Sequence, residues 1–233
     1  MNIYIIDMSR YMNKVFSLDG NIGSGKSTLL DALKKELTEL NYGKSVIFID
    51  EPVKDWESIK DKEGNSILTK FYKNQKKYSF SFQIMAYISR LATLQKAMRK
   101  YPHAVIVTER SVFTDRHVFA QMLYDDGLIE DVEFQIYCKW FDHFMEDIGF
   151  CGMIYVNTDP EICYDRIKSR NRTGEETIPL DYLKKCDEYH KKYTKHFEYS
   201  GIHALYLNGN VDKESDPKEY ENHIHNVKTF LTR

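Results

Sequence analysis

The sequence predicts an α/β fold in which a five-stranded parallel sheet is covered by helices on both faces. Three observations lead to this prediction. Short β-branched runs recur at wide spacing, long stretches of helical periodicity separate them, and no repeat or linker interrupts the chain. Parallel strands need a crossover connection, usually a helix, and strands covered on both faces are apolar along their length. We therefore expect one domain across residues 1–233, with residues 1–13 as an N-terminal extension.

The predicted strands are short runs of high β propensity, separated by segments long enough for a helix. In chain order they are Lys14–Leu18, Ser45–Ile49, Ala104–Val107, Met153–Val156 and His203–Leu207. Capping residues stand directly before Pro160 and predict a helix that begins at or near that proline. The longest helical tract, Ser79–Met98, contains neither Gly nor Pro. This alternation of strands and helices is typical of a doubly wound sheet.

Composition narrows the class of protein. The net charge of −2 gives no basic field, so we expect no nucleic-acid partner. The four cysteines are scattered without a C-x-x-C pair, which argues against a zinc site and against a disulfide framework. No stretch approaches the ~20 apolar residues that a membrane span needs, so we expect no membrane partner. These features together predict a cytoplasmic protein.

A phosphate-binding loop follows the first predicted strand. Residues 20–27 read G-N-I-G-S-G-K-S and match G-x-x-x-x-G-K-[ST], and apolar residues at helical spacing follow as far as Leu40. In such a loop the backbone N–H groups face phosphate oxygens, Lys26 neutralises the β- and γ-phosphates, and Ser27 ligates Mg²⁺. The sequence therefore predicts binding of a nucleoside triphosphate. The predicted phosphate-binding residues are Gly20, Asn21, Ile22, Gly23, Ser24, Gly25, Lys26, Ser27 and Thr28.

Charged residues stand at the ends of the next two predicted strands. Glu51 follows the second strand, and Glu109 and Arg110 follow the third. Open α/β sheets bind ligands at the carboxyl ends of their strands, so we expect these side chains to flank the phosphate loop. Each could also be a solvated loop charge, and the loop alone does not identify the acceptor of a phosphoryl group.

Several segments together resemble the deoxynucleoside kinase family, most closely the branch of deoxycytidine, deoxyguanosine and deoxyadenosine kinases. The segments are Glu51–Trp56, Tyr78–Gln83, Glu109–Arg116, Arg166–Arg172 and Ile178–Leu183, and the resemblance runs from about Lys14 to the C-terminus. It implies a P-loop kinase fold with a lid at about residues 166–177. It also implies transfer of the γ-phosphate of ATP, or of another nucleoside triphosphate, to the 5′-hydroxyl of a deoxynucleoside in nucleotide salvage.

The resemblance implies the catalytic roles. Glu51 is similar to the family's catalytic carboxylate, which takes the proton from the attacking 5′-hydroxyl. Arg110 holds the 5′-oxygen and Glu51, and acts with Lys26 on the charge of the transferring group. Glu109 resembles the carboxylate that acts with Ser27 on Mg²⁺.

The predicted lid carries the donor contacts. Arg166 and Arg170 lie four residues apart, and Arg172 follows them. A helix-dipole contact with a solvated basic face is one interpretation of this spacing. The resemblance favours a mobile lid whose arginines close over the donor phosphates, with Asp212 in the loop that holds the donor base. That loop, residues 208–212, contains no aromatic residue, so the preferred donor triphosphate stays open.

A polar and small stripe marks the predicted acceptor pocket. Gln83, Ala86 and Arg90 stand at i, i+3 and i+7 on an otherwise apolar helix, which suits a pocket wall better than a core face. By resemblance, Gln83 contacts the base, and Asp115, held by Arg90, accepts from an exocyclic amine. We therefore expect deoxycytidine and purine deoxynucleosides to be preferred over thymidine. The resemblance also implies that Ile22, Trp56, Phe82 and Phe119 pack on the nucleoside and that Tyr72 and Glu175, or the neighbouring Glu176, bind the 3′-hydroxyl.

Two other functions remain open at this point. A nucleoside monophosphate kinase of the thymidylate kinase type shares the fold and a Glu-Pro strand end, but needs further cations in the acceptor pocket. A phosphate-loop protein that binds nucleotide without turnover is the second alternative. Members of the resembled family are homodimers, and we expect an interface formed by Ser79–Met98 and Val132–Met145.

Overall fold

The computed structural model of the chain describes residues 13–37, 39–40, 44–146, 148–170, 175–199 and 201–232. Residues 1–12 of the predicted extension lie outside the described residues. The strands are β1 (Lys14–Gly20), β2 (Glu39–Leu40), β3 (Lys44–Ile49), β4 (Val105–Glu109), β5 (Phe150–Asn157) and β6 (His203–Asn208). The helices are α1 (Lys26–Glu36), α2 (Val53–Ser58), α3 (Ile67–Lys73), α4 (Gln75–Lys100), α5 (Val112–Thr114), α6 (Gln121–Asp125), α7 (Asp131–Met145), α8 (Pro160–Arg170), α9 (Leu180–Tyr199) and α10 (Pro217–Leu231). A π-helical segment, Asp115–Ala120, joins α5 to α6, and a 3₁₀ turn, Glu175–Thr177, precedes α9.

The predicted five-stranded parallel sheet is confirmed. Within the described residues the strand order is β2-β3-β4-β1-β5-β6, and all neighbours except β2 and β3 are parallel. The antiparallel β2 was not predicted, and the helical periodicity extended too far, to Leu40. Helix α1 ends at Glu36 instead, because the backbone of Glu39 and Leu40 pairs with the start of β3 at the edge of the sheet.

Both faces of the sheet are covered, as the apolar strands require. Phe16 and Leu18 of β1 pack with α1 and α10, whereas Val15 of the same strand packs with α4 and α7. In β5, Ile154 packs in the same core as Phe16 and Leu18, whereas Met153 packs with α9 on the opposite face of the sheet. Side chains alternate along a strand, so a run of buried residues supplies both cores at once. None of the described helices carries an apolar stretch long enough for a membrane crossing.

The boundaries of the helices follow local capping. Asn74 accepts a hydrogen bond from the backbone of Lys77 and begins α4, and a capping box between Glu130 and Glu133 begins α7. Helix α8 begins at Pro160, as predicted. These boundaries matter for the site, because α1 starts just after the carboxyl end of β1, and Arg90 in the middle of α4 contacts Glu109 and Glu51 at the ends of β4 and β3.

Candidate active site

The phosphate loop connects β1 to α1 by a turn that glycine alone accommodates. Gly20 and Gly23 have φ values of 148° and 77°, and a Cβ at Gly23 would lie 2.5 Å from the carbonyl oxygen of Cys163. Gly25 stands at the N-cap of α1 and offers no side-chain cap. The first N–H groups of α1 therefore lack a side-chain acceptor, which is the arrangement that binds phosphate at a helix N-terminus.

Lys26 lies buried under this loop. Its Nζ donates to the carbonyl oxygen of Asn21 at 2.7 Å and to that of Gly20 at 3.2 Å. Burial, assisted by the nearby charge of Arg110, lowers the pKa of Lys26 to about 8, although Glu109 and Glu51 oppose the shift. The ammonium group is therefore poorly solvated, and an added phosphate would stabilise its charge.

Ser27 and Glu109, the predicted magnesium pair, are brought together. Ser27 lies on the first turn of α1 and donates from Oγ to Oε1 of Glu109, at the end of β4, over 2.6 Å. Among the residues that the structure describes, no group of three His, Cys, Asp or Glu side chains could hold a metal ion. Any ion at this pair would need further oxygen ligands from phosphate or water.

Glu51 follows β3 and receives two guanidinium groups. Its Oε1 accepts from Nη2 of Arg90 at 3.1 Å and from Nε of Arg110 at 3.4 Å. Burial raises the pKa of Glu51, but Arg90 and Arg110 outweigh burial and leave the pKa at about 2. Glu51 is thus an ionised carboxylate held in a fixed position, and its contact with Arg90 was not predicted.

Arg110 adopts a left-handed backbone conformation with a φ of 64°. This conformation turns its side chain back over β1, where Nη1 donates to the carbonyl oxygen of Gly20 at 3.0 Å. The guanidinium carbon lies 4.6 Å from the centre of the Phe119 ring. The buried carboxylate of Asp19 accepts from the backbone N–H of the next residue, Ser111, at 3.1 Å, which holds the turn in place.

A cavity of about 470 Å³ opens beside these strand ends. This volume is typical of a small-molecule site. Every predicted substrate-binding residue lines it, namely Ile22, Glu51, Trp56, Tyr72, Phe82, Gln83, Ala86, Arg90, Arg110, Asp115, Phe119 and Glu175. Of the predicted phosphate-loop residues, Gly20 and Asn21 do not line it, because their carbonyl groups point inward to Lys26. The remaining loop residues from Gly23 to Thr28 do line it.

The predicted stripe on α4 is buried in the wall of this cavity. Arg90 donates from Nε to Oδ2 of Asp115 at 2.8 Å, so one guanidinium joins Asp115 to Glu51. Oε1 of Gln83 is buried and has no hydrogen-bond partner among the described residues. An acceptor in that state is free for a donor on a ligand, since a buried polar atom without a partner is costly.

Burial dominates the ionisation of Asp115. It raises the pKa of this carboxyl to about 6, while the guanidinium groups of Arg90 and Arg110 act in the opposite direction. The sequence suggested that Arg90 would suffice to favour the charged form. Asp115 is still mostly ionised at pH 7, but its titration lies much closer to neutrality than that of an ordinary carboxyl.

The cavity also has an aromatic end formed by α2, α3 and α4. Phe71 stacks on Phe82 with ring centres 4.6 Å apart, and Trp56 meets Phe82 edge to face at 5.4 Å. Burial, assisted by the charge of Glu175, raises the pKa of Tyr72, so its hydroxyl stays protonated and can donate. Phe71 was missed, because its spacing in the sequence is that of an ordinary core residue.

The lid arginines make two different kinds of contact. Nη1 of Arg166 donates to the carbonyl oxygen of Gly209 at 2.8 Å, and its Nη2 lies 3.8 Å from Oδ2 of Asp212. Arg170 forms an ion pair with Glu175. From the sequence, we assigned Arg170 to the donor phosphates and Glu175 to the 3′-hydroxyl of the acceptor, and we did not predict that these two side chains would pair. Arg172 and the rest of the segment 171–174 lie outside the described residues.

Three further residues at the site carried no signal in the sequence. His190 of α9 is fully buried, and its Nε2 lies 3.3 Å from Nη1 of Arg110. Tyr220 and His223 of α10 line the donor end of the cavity, where the loop 208–212 has no aromatic residue. Each is an isolated residue on a charged helix, so only the tertiary structure brings it to the site.

Comparisons with known proteins agree with this geometry. A probable deoxycytidine kinase of fowlpox virus (strain NVSL) is 34% identical, covering 94% of this chain and 89% of the relative. Human deoxycytidine kinase is 32% identical over 94% of this chain and 91% of its own length. The mitochondrial deoxyguanosine kinase of Xenopus laevis is 30% identical, with coverage of 94% and 89%.

The family model described as deoxynucleoside kinase matches residues 16–232, which include the phosphate loop, the strand-end carboxylates and the lid. The match therefore extends over the elements that form the cavity as well as those that form the sheet. With its phosphate loop, its acidic strand ends and its cavity for a small molecule in one continuous match, this chain belongs to the deoxynucleoside kinase family of phosphotransferases.

Proposed function

We propose that this enzyme transfers the γ-phosphate of ATP, or of another nucleoside triphosphate, to the 5′-hydroxyl of deoxycytidine and of purine deoxynucleosides, with thymidine a poor acceptor. The observation that carries the proposal is the buried chain Asp115–Arg90–Glu51 in the cavity wall. In this row of side chains, Glu51 lies at the end of β3 beside the phosphate loop, and Asp115 at the other end supplies a carboxylate that can accept a hydrogen bond. A single guanidinium thus ties the group that contacts the base to the group that contacts the 5′-hydroxyl.

Glu51 acts as the acceptor for the proton of the 5′-hydroxyl. With a pKa of about 2 it is a weak base, but it is ionised throughout the working range of pH. Phosphoryl transfer through a loose transition state needs mainly positioning and neutralisation of charge, so a weak base in a fixed position suffices. Arg110 and Lys26 supply positive charge on either side of the transferring group.

Ser27 and Glu109 are suited to hold Mg²⁺. This ion is usually bound by one or two carboxylates together with substrate phosphates and waters, and these two side chains are a donor set of that kind. Bound there, Mg²⁺ would neutralise charge on the β- and γ-phosphates. The hydroxyl oxygen of Ser27 and the carboxylate of Glu109 would be its protein ligands.

The base is selected by Gln83 and Asp115. Gln83 has a free acceptor beside its amide donor and can pair with one base edge, whereas ionised Asp115 accepts without donating and so favours a base edge with an amino group. Cytosine and adenine present such a group, whereas thymine presents a carbonyl oxygen at the corresponding position. Two opposed acceptors in a buried site cost several kcal/mol. We propose that Tyr72 and Glu175 bind the 3′-hydroxyl and that Arg166, Arg170 and Arg172 contact the donor phosphates.

A homodimer is proposed from an exposed apolar face. Ile88 of α4 and Val132, Ile136 and Trp140 of α7 are exposed by 40%, 66%, 42% and 48% on two helices that pack together. Val132, Ile136 and Trp140 stand at i, i+4 and i+8 on one face of α7, and an exposed apolar face is typical of an interface between subunits. We also propose a cytoplasmic location, which the four free cysteines support.

The experiment uses ATP labelled at the γ-phosphate, with deoxycytidine, deoxycytidine monophosphate or thymidine as acceptor. With deoxycytidine as the acceptor, label appearing in the product, deoxycytidine monophosphate, would support the proposal. The Glu51→Gln protein serves as the control. Label appearing only with the monophosphate acceptor would point to a nucleoside monophosphate kinase. That alternative would need a further cation beside the acceptor, and Tyr72, Gln83 and Asp115 in the cavity wall supply none. Nucleotide binding without any labelled product would indicate a protein without turnover.

A further inference from the structure

His190 lies directly behind Arg110. The imidazole is fully buried on α9, and its ring centre lies 5.7 Å from that of Phe119, edge to face. Its Nδ1 is 2.7 Å from the carbonyl oxygen of Cys186, one turn earlier, and its Nε2 is 3.3 Å from Nη1 of Arg110. Both ring nitrogens therefore have a partner, although the ring itself does not line the cavity.

The contact with Arg110 favours one tautomer, although the backbone of Gly20 is a further hydrogen-bonding neighbour of the ring. A carbonyl oxygen can only accept and a guanidinium can only donate, so the proton sits on Nδ1 and the lone pair on Nε2 faces Arg110. A second proton would place two donors against each other. Burial and the charge of Arg110 lower the pKa of His190 well below its ordinary value, which agrees with a neutral ring.

The contact completes the fixation of the Arg110 guanidinium. Its Nε donates to Glu51, and its Nη1 donates to the carbonyl oxygen of Gly20 and to His190. The two protons of Nη1 are thus both used. For Nη2, no hydrogen-bond partner is found among the described residues, so this group can face a ligand in the cavity.

We propose that His190 is a positioning residue for phosphoryl transfer. Its neutral imidazole accepts from Nη1 and sets the orientation in which Nη2 of Arg110 meets the transferring phosphoryl group. The inference rests on the proposed role of Arg110. A purely structural role is the competing interpretation, since the ring also packs against Phe119 and Tyr155.

Replacements of His190 separate these two roles. His190→Phe keeps an aromatic ring but removes the acceptor, and His190→Gln can present an amide oxygen where Nε2 stands. His196→Phe is the matched control on the same helix, since Nε2 of His196 is buried without a hydrogen-bond partner among the described residues. We expect His190→Phe to lower kcat about 10- to 100-fold, the loss typical of one hydrogen bond to a charged group. KM for deoxycytidine should change less than about threefold, and His190→Gln and His196→Phe should stay near wild type.

A double-mutant cycle with Arg110→Lys supplies the decisive measurement. If His190 acts through Arg110, His190→Phe should have little further effect on kcat in the Arg110→Lys background. An equal loss in both backgrounds, or a His190→Gln protein as impaired as His190→Phe, would overturn the inference. If His190→Phe does not fold, His190→Asn replaces it, because Asn can mimic Nδ1 but does not reach Arg110. A wild-type protein that fails to phosphorylate deoxycytidine in the same assay would instead count against the proposed function.

Discussion

The acceptor end and the donor end of the cavity are built differently. At the acceptor end, Arg90 and Asp115 have side chains exposed by only 4% and 3%, and they contact each other between rigid helices. At the donor end, Arg166 and Asp212 are exposed by 25% and 53%, and their closest atoms are 3.8 Å apart. Buried charges interact strongly and demand matched partners, whereas exposed pairs are screened by water and salt.

This difference indicates where the enzyme discriminates. A ligand that presents an acceptor to Asp115 sets two buried acceptors against each other, so the acceptor end should be selective. At the donor end Arg166 contacts the carbonyl oxygen of Gly209, and the groups that we propose it binds, the phosphates, are common to every nucleoside triphosphate. We therefore expect strict selection of the accepted nucleoside and a tolerant choice of donor.

The largest effect should come from removing the buried pair. The double variant Arg90→Met with Asp115→Ala removes the acceptor that opposes thymine, and a site of this kind can discriminate by up to ~10⁴-fold. We expect kcat/KM for thymidine to rise and that for deoxycytidine to fall. The measurement is kcat/KM for the four deoxynucleosides. An unchanged ranking would show that these residues do not select the base.

The single variants provide the control for this pair. Arg90→Met alone leaves Asp115 buried without its guanidinium, which should cost about 3–5 kcal/mol of unfolding free energy. The double variant should be more stable than Arg90→Met, because it removes both charges. Denaturant unfolding of the two proteins checks the order, and the reverse order would mean that the pair is not coupled.

A smaller but still large effect is expected at Glu51. Glu51→Gln keeps the shape of the side chain but removes the proton acceptor, so kcat should fall by ~10²-fold or more. The affinity for deoxycytidine, measured by calorimetry, should be roughly unchanged. A variant that keeps more than half of the wild-type kcat would remove Glu51 from the mechanism.

Variants of the two lid arginines test which of them acts on the donor alone and which also acts on the acceptor. Arg166→Ala should raise KM for ATP about 10-fold through lost phosphate contacts and leave KM for deoxycytidine unchanged. Arg170→Ala should affect both constants, because Arg170 also pairs with Glu175. Steady-state kinetics with each substrate varied in turn distinguishes the variants. Identical profiles for the two would show that the Arg170–Glu175 pair does not link the ends.

The smallest effects should appear in the pH profiles of kcat/KM, with an acid limb from the acceptor end of the cavity and an alkaline limb from the donor end. Asp115, whose pKa is raised to about 6, becomes protonated below that pH and loses the charge that strengthens its hydrogen bond from the amino group, so kcat/KM for deoxycytidine should fall on the acid side. Lys26, whose pKa is lowered to about 8, loses its charge above that pH, so kcat/KM for ATP should fall on the alkaline side. Glu51 should contribute no limb above about pH 4, since its pKa is about 2. The matched variant Asp115→Asn should lack the acid limb, and an acid limb that persists in it belongs to another group.

The sequence could predict what depends on local pattern. The strand runs are apolar on both faces, the phosphate loop has its glycines at fixed spacing, and the stripe Gln83, Ala86 and Arg90 follows from helical periodicity. These local rules located the cavity wall correctly. The same rules failed at Leu40, where an apolar residue in helical register belongs to an edge strand.

Contacts between distant elements could not be predicted in this way. Arg90 and Glu51 meet because α4 crosses the end of β3, and His190 reaches Arg110 from a helix 80 residues away. Neither pairing has a signature at short sequence spacing. The Arg170–Glu175 pair is close in sequence, but its two residues belong to different elements, the end of α8 and the 3₁₀ turn before α9.

The left-handed backbone of Arg110 has a consequence for how this protein can change over time. A residue with a side chain loses roughly 1–2 kcal/mol in this conformation, and glycine would lose almost nothing. The backbone alone would therefore favour glycine at position 110. The side chain opposes this, because its guanidinium holds Glu51 and the carbonyl oxygen of Gly20, so any replacement has to set the relief of the backbone against the loss of these contacts.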